Sequence, residues 1–465
     1  MNKTIITALL TGGIATAVTS TTHAQANDAL LNKLVEKGYL SSKEADELKK
    51  EGDDKKIVTT GLGLPDWVTS LKLYGDFRGR FEEQTAESDE FHTRPRYRYR
   101  IRLGTTINMV DNFEVGFRIA SGNPLTNPGG TLVGGSPVTA NQDMNSFESR
   151  KFLWIDAAYA KWSPIKNNDW TVTGMIGKFD NPFQLSNMIW DYDIVPEGAG
   201  LTVAYNVNQE HSLKAIGGIF VLDELNQGFA NPNKLPTGTN APHAHPAHDP
   251  YVYGGQLLWE AKWTPKFETS LGAAVFVMDN EESLNALASP FYNSGNTRTA
   301  SGFLVNNYNP IIGSASATYK FPAIPLYPGK EFPVKVAGEY MNNPGASANN
   351  EAYRVGLTLG KAGKKNTWEI NYRYQRLEAD AWLDAMVDDD NGAFYTTGNP
   401  QLTGTGKANG WFGGTNVKGH QIVAAYSFTD FMNVSFIYYL NELIITAPGK
   451  DSGAQHFMVD LNWKF

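Results

Sequence analysis

A strict alternation of arginine with apolar residues, starting at position 96, constrains the fold more than any other feature of the sequence. Its members are Arg96, Arg98, Arg100 and Arg102, which alternate with Tyr97, Tyr99, Ile101 and Leu103. A period of two indicates an extended strand, because successive side chains of a strand point to opposite faces. One face of this strand is therefore a row of guanidinium groups, which we call the arginine ladder, and the other face is apolar.

The alternation continues to Met109, breaks at residues 110–112 and resumes at residues 113–119, which predicts a hairpin of two long strands. About ten residues of each strand carry the apolar face, the length that a tilted strand needs to cross a bilayer. An arginine facing lipid near the midplane costs about 2–4 kcal/mol. Four of them would cost about 10 kcal/mol, comparable to the stability of a whole domain. The arginine ladder must therefore face water, which predicts lipid outside and an aqueous lumen inside.

A soluble β-sandwich, with the apolar face as its core, is the alternative interpretation of this hairpin. The connections between the predicted strands favour the barrel. Sixteen strands are predicted, near residues 71–82, 96–110, 112–121, 150–162, 169–179, 200–207, 211–222, 251–263, 266–278, 308–320, 332–342, 351–360, 367–378, 419–429, 431–442 and 454–465. Short turns alternate with long polar loops along this order, as in outer-membrane barrels with periplasmic turns and external loops. The predicted fold class is all-β, a transmembrane antiparallel up-and-down β-barrel.

The first 26 residues are typical of a secretory signal peptide. Lys3 supplies the positive start, residues 5–18 the apolar middle, and residues 24–26 the small-residue cleavage pattern. No later run of about twenty apolar residues predicts a transmembrane helix. We therefore expect an exported protein, located in the outer membrane of the cell.

Residues 27–52 form the one segment with helical spacing, so the sequence predicts a short N-terminal periplasmic helical segment. Leu30, Leu31 and Leu34 share a helix face, and Ser41 with Glu44 forms a capping box for a second short helix. Two roles stay open, an oligomerisation or tethering element and a helical pair that packs on the barrel mouth. Residues 53–68 are predicted to be a linker and residues 69–465 the barrel.

Composition excludes several classes of function. The chain has 465 residues, a net charge of -8 and no cysteine. The acidic balance argues against a nucleic-acid partner, and the lack of cysteine excludes disulfides and thiolate chemistry. No serine-centred elbow, phosphate loop or zinc motif is present, so we predict no enzymatic activity and no cofactor.

The chain ends in a pattern that resembles the C-terminal sorting signal of outer-membrane barrels. Phe457, Val459, Leu461, Trp463 and Phe465 alternate up to a terminal aromatic residue. What the resemblance implies is recognition of Phe465 by the barrel-insertion machinery and an outer-membrane lipid environment.

Two stretches also resemble the Putative porin family of Gram-negative bacteria. They are PRYRYRIRLGTTINMVDNFEVGFRIASG at residues 95–122 and GKFDNPFQLSNMIWDYDIVPEGAG at residues 177–200. The resemblance extends loosely over most of the mature chain. It implies an outer-membrane channel and makes a homotrimer plausible, but it implies no particular solute.

Residues 181–198, the third external loop in this strand order, are the predicted constriction. The loop carries Asp191, Asp193 and Glu197. The facing wall is predicted to carry seven arginines, which we call the wall arginines: Arg78, Arg80, Arg96, Arg98, Arg100, Arg102 and Arg118. Opposite charges across a constriction create a transverse field that admits small polar solutes. The alternative is that loop carboxylates and wall arginines pair and rigidify the loop.

Two other clusters carry weaker signals. His243, His245 and His248 lie in a proline-rich loop that lacks secondary structure to fix metal ligands, so we predict no metal site there. Asp388, Asp389 and Asp390 lack the ligand spacing of a calcium loop and are expected to form a polar external tip.

The predicted function is a porin that forms a water-filled channel for passive diffusion of small hydrophilic solutes. A channel selective for anions or organic acids is the alternative, because arginine is in excess on the predicted wall. A structural or adhesive outer-membrane barrel is a third interpretation. A barrel enzyme would need an identifiable nucleophile or acid-base set, which the sequence lacks.

Overall fold

The computed structural model describes residues 64–126, 132–224, 248–284, 294–300, 302–400 and 410–465. The predicted signal peptide, the helical segment 27–52, and His243 and His245 lie outside these residues, as does most of the predicted linker. No helix among the described residues is long and apolar enough to cross a bilayer.

Sixteen long antiparallel strands occupy the described residues, the number predicted from the sequence. They are β1 (Val68–Ala86), β2 (Arg94–Met109), β3 (Phe113–Ser121), β4 (Leu153–Lys166), β5 (Trp170–Lys178), β6 (Glu197–Asn206), β7 (His211–Val221), β8 (Tyr251–Thr264), β9 (Phe267–Asp279), β10 (Ile311–Pro322), β11 (Glu331–Asn342), β12 (Glu351–Gly360), β13 (Trp368–Leu377), β14 (Val417–Ser427), β15 (Met432–Leu443) and β16 (Ala454–Lys464). Each strand pairs with the next one in the chain. β16 pairs with β1, from Asp76↔Lys464 to Ala86↔Ala454, and this pairing closes the sheet into a barrel.

Short strands and turns in the connections complete the secondary structure. Pro124–Thr126 pairs with Leu132–Gly135, and Gly392–Tyr395 pairs with Gly410–Gly413. Gln142–Asp143 pairs with β2. Single 3₁₀ turns lie at Val110–Asn112, Glu281–Ser283 and Asp384–Met386.

The chain divides into two compact units, and most residues of the barrel strands belong to the larger one, Tyr74–Gly104 with Phe117–Phe465. The described part of the smaller unit comprises residues 64–73 and Thr105–Gly116. It contains the predicted turn at Val110–Asn112, where Asp111 takes a left-handed conformation with φ 57°. The Val110 N–H donates to the Trp67 carbonyl at 3.0 Å.

Side-chain exposure alternates along the strands as the sequence predicts. On β2, Tyr97 is 62% exposed and Arg98 is 4% exposed. On β12, Val355 is 52% exposed and Arg354 is 7% exposed. Apolar side chains therefore face outward and charged side chains face the interior, which is the arrangement expected of a barrel in lipid.

Long and short connections alternate along most of the barrel, although not strictly. The turns at residues 110–112, 167–169 and 207–210 are short, whereas residues 179–196 and 378–416 form long loops. The connections 323–330 and 343–350 have the same length, so the alternation disappears at β11. We number the external loops in chain order, so that residues 378–416 form the seventh loop.

An apolar core fills part of the barrel interior, which the sequence pattern did not predict. The third loop contributes Phe183 and Trp190, and the seventh loop contributes Trp382. These rings pack against Phe220 of β7 and Phe276 of β9. The two loops are therefore held against the inner wall by burial of aromatic surface, the main favourable contribution to folding.

Candidate channel constriction

Carboxylates surround the wall arginines on β1. The Arg80 guanidinium is bound by Asp460 of β16, with Nε–Oδ1 at 2.7 Å and Nη2–Oδ2 at 2.9 Å. Its Nη1 donates to Asp390 of the seventh loop at 3.1 Å. Arg78 Nε lies 3.6 Å from Asp460 and donates to Asn462 at 3.2 Å. This wall is therefore cross-linked at the strand pair that closes the barrel.

Glu82 neutralises the external end of the arginine ladder. It is fully buried and forms ion pairs with Arg96 and Arg98, the second with an Oε2–Nη1 distance of 3.4 Å. Arg98 Nε also lies 2.8 Å from Asp143. A buried carboxylate needs such partners, because removing its charge from water without them costs several kcal/mol.

The other arginines of the ladder connect the wall to the third loop. Asp76 accepts from Arg100 at 2.9 Å and from Arg102 at 2.7 Å. Arg100 Nη1 donates to Asp193 of the third loop at 3.3 Å, and Arg102 Nη1 lies 4.0 Å from the same carboxylate.

Arg118, on β3, has two carboxylate partners. It contacts Asp156 of β4 and donates to Asp180 at 2.6 and 3.1 Å. Each of the seven wall arginines thus has a carboxylate within 4.0 Å among the described residues. Many of these carboxylates lie on the wall strands, whereas the pairing alternative considered from the sequence takes them from the loop, which here contributes Asp193 and Asp180.

The third loop crosses from the arginine ladder to the opposite inner wall. The Gln184 N–H donates to Gln256 of β8 at 2.8 Å, and the Ser186 N–H donates to Glu339 of β11 at 3.0 Å. Arg354 of β12 donates to Asn187 Oδ1 at 2.5 Å. With the Asp193 contact at the other side, these bonds hold the loop across the lumen.

The three acidic residues predicted in this loop separate in the structure. Asp193 meets the arginine ladder, as described above. Asp191 is buried and accepts from the backbone N–H groups of Asp193 and Asp389. Glu197 is the first residue of β6 and forms an ion pair with Lys178 at 3.2 Å. Only Asp193 therefore faces the wall arginines.

The seventh loop also lies inside the barrel, so the expectation of an external tip at residues 388–390 is wrong. The Asp388 N–H donates to the Asn187 carbonyl at 3.0 Å, and the Asp191 N–H donates to the Met386 carbonyl at 2.8 Å. These bonds join the seventh loop to the third loop. A run of aspartates in a sequence indicates a solvent-exposed segment. Here the aspartates lie inside the barrel, where they bind Asn187 and Arg80, which lie far away in the sequence.

Three carboxylates meet where the two loops join. Oxygen atoms of Asp191, Asp388 and Asp389 lie within 4.8 Å of one another. Burial raises the pKa of Asp388 to about 7, and the charge of Asp390 adds to this shift. Burial and the neighbouring aspartates raise the pKa of Asp191 and of Asp389 well above the usual range. The junction therefore favours bound protons or a cation.

Glu82, Asp390 and His456 form a second group of potential metal ligands, with ligand atoms within 4.8 Å of one another. Arg80 Nη1 lies 3.1 Å from Asp390 and 3.7 Å from Glu82. A guanidinium therefore already neutralises this group, and its charge opposes binding of a metal cation.

A polar cavity of about 480 Å³ lies on the other side of the third loop. Gln184, Ser186 and Tyr192 of the loop form one side of it. The inner wall contributes charged side chains from β8 and β11–β13: Glu260, Lys335, Glu339, Arg354 and Arg373. A second cavity of about 370 Å³ shares Glu260 and Lys335 and extends to the short turns at residues 207–210.

The basic side chains of this cavity were not predicted from the sequence, although the sequence contains a signal for them. Arg354 and Arg373 each occupy a lumen-facing position in a strand whose alternate residues are mainly aromatic or aliphatic. The signal is weak because each arginine stands alone and is not part of an alternating series like the arginine ladder. Alternation within one strand also does not show which strands line the same cavity.

Three solved structures align with most of this chain at low sequence identity. The OprB protein of Pseudomonas putida at high pH aligns with 12% identity over 90% of this chain and 96% of its own, with a TM-score of 0.48. OmpF of Salmonella typhi, in complex with daunomycin, aligns with 11% identity over 86% and 99%, with a TM-score of 0.44. A mutant of the Rh. blastica porin aligns with 12% identity over 85% and 100%, with a TM-score of 0.39. No curated protein sequence matches the chain.

A family comparison covers the first half of the barrel. The model of the family described as "Putative porin" matches residues 89–300. This range includes the arginine ladder, the third loop and the whole of strands β2–β9. The resemblance to the Putative porin family is thereby confirmed over residues 89–300.

Proposed function

We propose that the protein is an outer-membrane porin that forms a water-filled channel for passive diffusion of small hydrophilic solutes. The third loop is the constriction of this channel. The solute crosses down its own gradient, and no bond is made or broken.

One observation carries this proposal, namely that the third loop crosses the lumen and leaves a polar cavity open beside it. The loop is fixed at Arg100 on one side and at Glu339 and Arg354 on the other. The cavity of about 480 Å³ is lined by hydroxyl, amide and charged groups, which replace part of the hydration of a polar solute.

The proposed constriction differs in one respect from the one expected from the sequence. The wall arginines are paired with carboxylates, and the cavity that forms the proposed passage is bounded by the third loop and the wall of β8–β13. A channel selective for anions or organic acids is the second candidate function, and the basic residues Lys335, Arg354 and Arg373 in the cavity favour it.

A planar-bilayer recording tests the channel. The mature protein, folded in detergent, is inserted into a bilayer, and single-channel current is measured under a KCl gradient. We expect stable current steps, and the sign of the reversal potential reports the preferred ion. If correctly folded protein gives no current steps, the channel proposal is refuted and a structural barrel is favoured.

Location and assembly belong to the same proposal. The outward apolar face of the strands fits a lipid environment, and we propose the outer membrane as its location. A homotrimer is the proposed assembly, testable by the mass of the detergent-solubilised protein.

A further inference from the structure

The positive charges inside the barrel fall into two groups that differ in their partners. The wall arginines all pair with carboxylates. Lys335, Arg354 and Arg373 line the larger cavity, and in the part of the chain that the structure describes none of them has a carboxylate within 4.0 Å. The cavity therefore contains cations whose charge is not compensated by a direct contact.

The carboxylates of the cavity are bound to other groups. Lys214 holds Glu260 at 2.8 Å. Glu339 accepts a hydrogen bond from the backbone N–H of Ser186. With Glu260 compensated by Lys214, the three cations of the cavity face one remaining carboxylate, and the cavity is positive in balance.

The strand register brings the two arginines together, and Lys335 lies on the same inner wall, further along the strands. Arg354 lies opposite Gln375 and Gly356 lies opposite Arg373, so the two arginines are diagonal neighbours on β12 and β13. Lys335 lies opposite Thr358 of β12. Neighbouring strands are about 5 Å apart, and diagonal neighbours are within reach of long side chains.

Both guanidinium groups keep donors available. Arg354 Nη1 donates to Asn187, and Arg373 Nε donates to Asn371 at 2.6 Å. These are the hydrogen bonds described for the two side chains, and each guanidinium has five N–H groups. A guanidinium fork matches a carboxylate or phosphate with two parallel hydrogen bonds.

We propose that Lys335, Arg354 and Arg373 form an anion-binding site within the channel, for small solutes that carry a carboxylate or phosphate group. The inference rests on the proposed function, because the solute reaches the site through the open channel. The volume of about 480 Å³ admits a solute of a few carbon atoms with part of its hydration shell. Ser314, Ser316 and Thr358 also line the cavity and offer hydroxyl groups to a second polar end of the solute.

The test compares ion preference and solute block in matched variants. Arg354→Gln with Arg373→Gln removes both guanidinium groups of the site. Arg376→Gln is the control, since it removes an arginine of the same strand β13 that pairs with Glu378 and does not line the cavity. Succinate, inorganic phosphate and uncharged succinamide are the probes, added separately to one side of the bilayer.

In the wild-type channel we expect an anion-directed reversal potential and a block of chloride current by succinate or phosphate, but not by succinamide. A unit charge about 4 Å from an anion in water changes its local concentration about fivefold, so each substitution should weaken block by about this factor. The Arg376→Gln channel should behave as wild type. Block by succinate alone assigns the site to carboxylates, and block by phosphate alone assigns it to phosphates.

The possible failures are distinguishable. Open channels whose ion preference and block are the same in wild type and the double variant would overturn the anion site and leave the channel intact. If folded wild-type protein does not conduct, the channel proposal fails, and calorimetric titration of the detergent-folded protein with succinate and phosphate decides on the site. Absence of binding heat for both probes would overturn it. If the double variant does not fold, Arg373→Gln alone is used, because Arg373 has no described bond to the third loop.

Discussion

Arg100 of β2 and Asp193 of the third loop form an ion pair between the barrel wall and the loop, with Nη1 and Oδ1 3.3 Å apart. Arg100 is buried and is also held by Asp76, so it is a fixed point on the wall. Asp193 is the partner that belongs to the loop. The pair therefore determines how closely this side of the loop approaches the arginine ladder.

Asp193→Asn should release this side of the loop and increase its motion. A partly exposed ion pair contributes about 0.2–1 kcal/mol, so the loop should stay folded but fluctuate more. We expect noisier single-channel currents with unchanged barrel stability. Asp430→Asn, which removes an exposed pair at the turn after β14, is the control. Identical current noise in all three proteins would argue against an anchoring role for Asp193.

The carboxylates at the loop junction predict a dependence on pH. The pKa of Asp388 is raised from 3.8 to about 7 where the third and seventh loops join, so the contact between the loops is more stable when this carboxyl group is protonated. This stabilisation is fully present below about pH 4 and is lost as the pH rises through about 7. We expect the loops to separate more readily, and currents to fluctuate more, on the alkaline side of neutrality.

Asp388→Asn removes the titrating group and should flatten this pH profile. Asp169→Asn, on the exposed turn between β4 and β5, should keep the wild-type profile. The measurement is single-channel noise between acid and alkaline pH in one salt. A profile that persists in Asp388→Asn would assign the titration to other groups.

Trp190 should determine whether the third loop stays inside the barrel. It is 1% exposed and packs on Phe220 and Phe276 with ring centroids 5.7 and 6.1 Å apart. Truncating a buried aromatic side chain costs about 3–5 kcal/mol. Trp190→Ala should therefore open the loop to protease, while the barrel keeps its β-sheet spectrum. Trp162→Ala, at an outward position, should leave the loop protected.

Gly75 is needed where β1 meets the end of the chain. Its N–H donates to the Phe465 carbonyl at 2.8 Å, and a Cβ at this position would lie 2.6 Å from both the Phe465 ring and the Arg102 carbonyl. We expect Gly75→Val to impair closure, seen as loss of the folded band in unboiled gel samples. Gly79→Ala meets nothing within 4 Å and should fold normally. Normal folding of Gly75→Val would show that the seam tolerates a rearrangement.

The strands could be predicted from the sequence because their signal is local. Alternation at residues 96–122 reports which face of each strand meets lipid, and the hairpin turn at Val110–Asn112 follows from the break in that alternation. Strand ends shifted by a few residues, as at β6, which begins at Glu197 instead of residue 200. Strand ends are harder to predict, because the strands continue to form hydrogen bonds beyond the residues that show the apolar alternation.

The arrangement inside the barrel could be predicted only in part. The third loop was identified from its position in the strand order, and Asp193 from its charge. The positions of Asp388 and Arg373 were not predicted, because each depends on contacts between segments far apart in the sequence. Residues of the same type, such as Asp193 and Asp388, therefore have different surroundings in the folded protein, which depend on contacts with distant segments.

The aromatic packing beneath the third loop divides the barrel interior into a packed part and an open part. Phe183, Trp190 and Trp382 occupy one part of the cross-section as solid core, while the polar cavity lies beside them. Substitutions in the packed part must preserve volume, whereas Arg373 of the cavity wall has no described bond to the third loop and can be replaced without disturbing the packed part. With this division, point mutations in the cavity wall can change its charge while the packed core and the barrel fold stay the same.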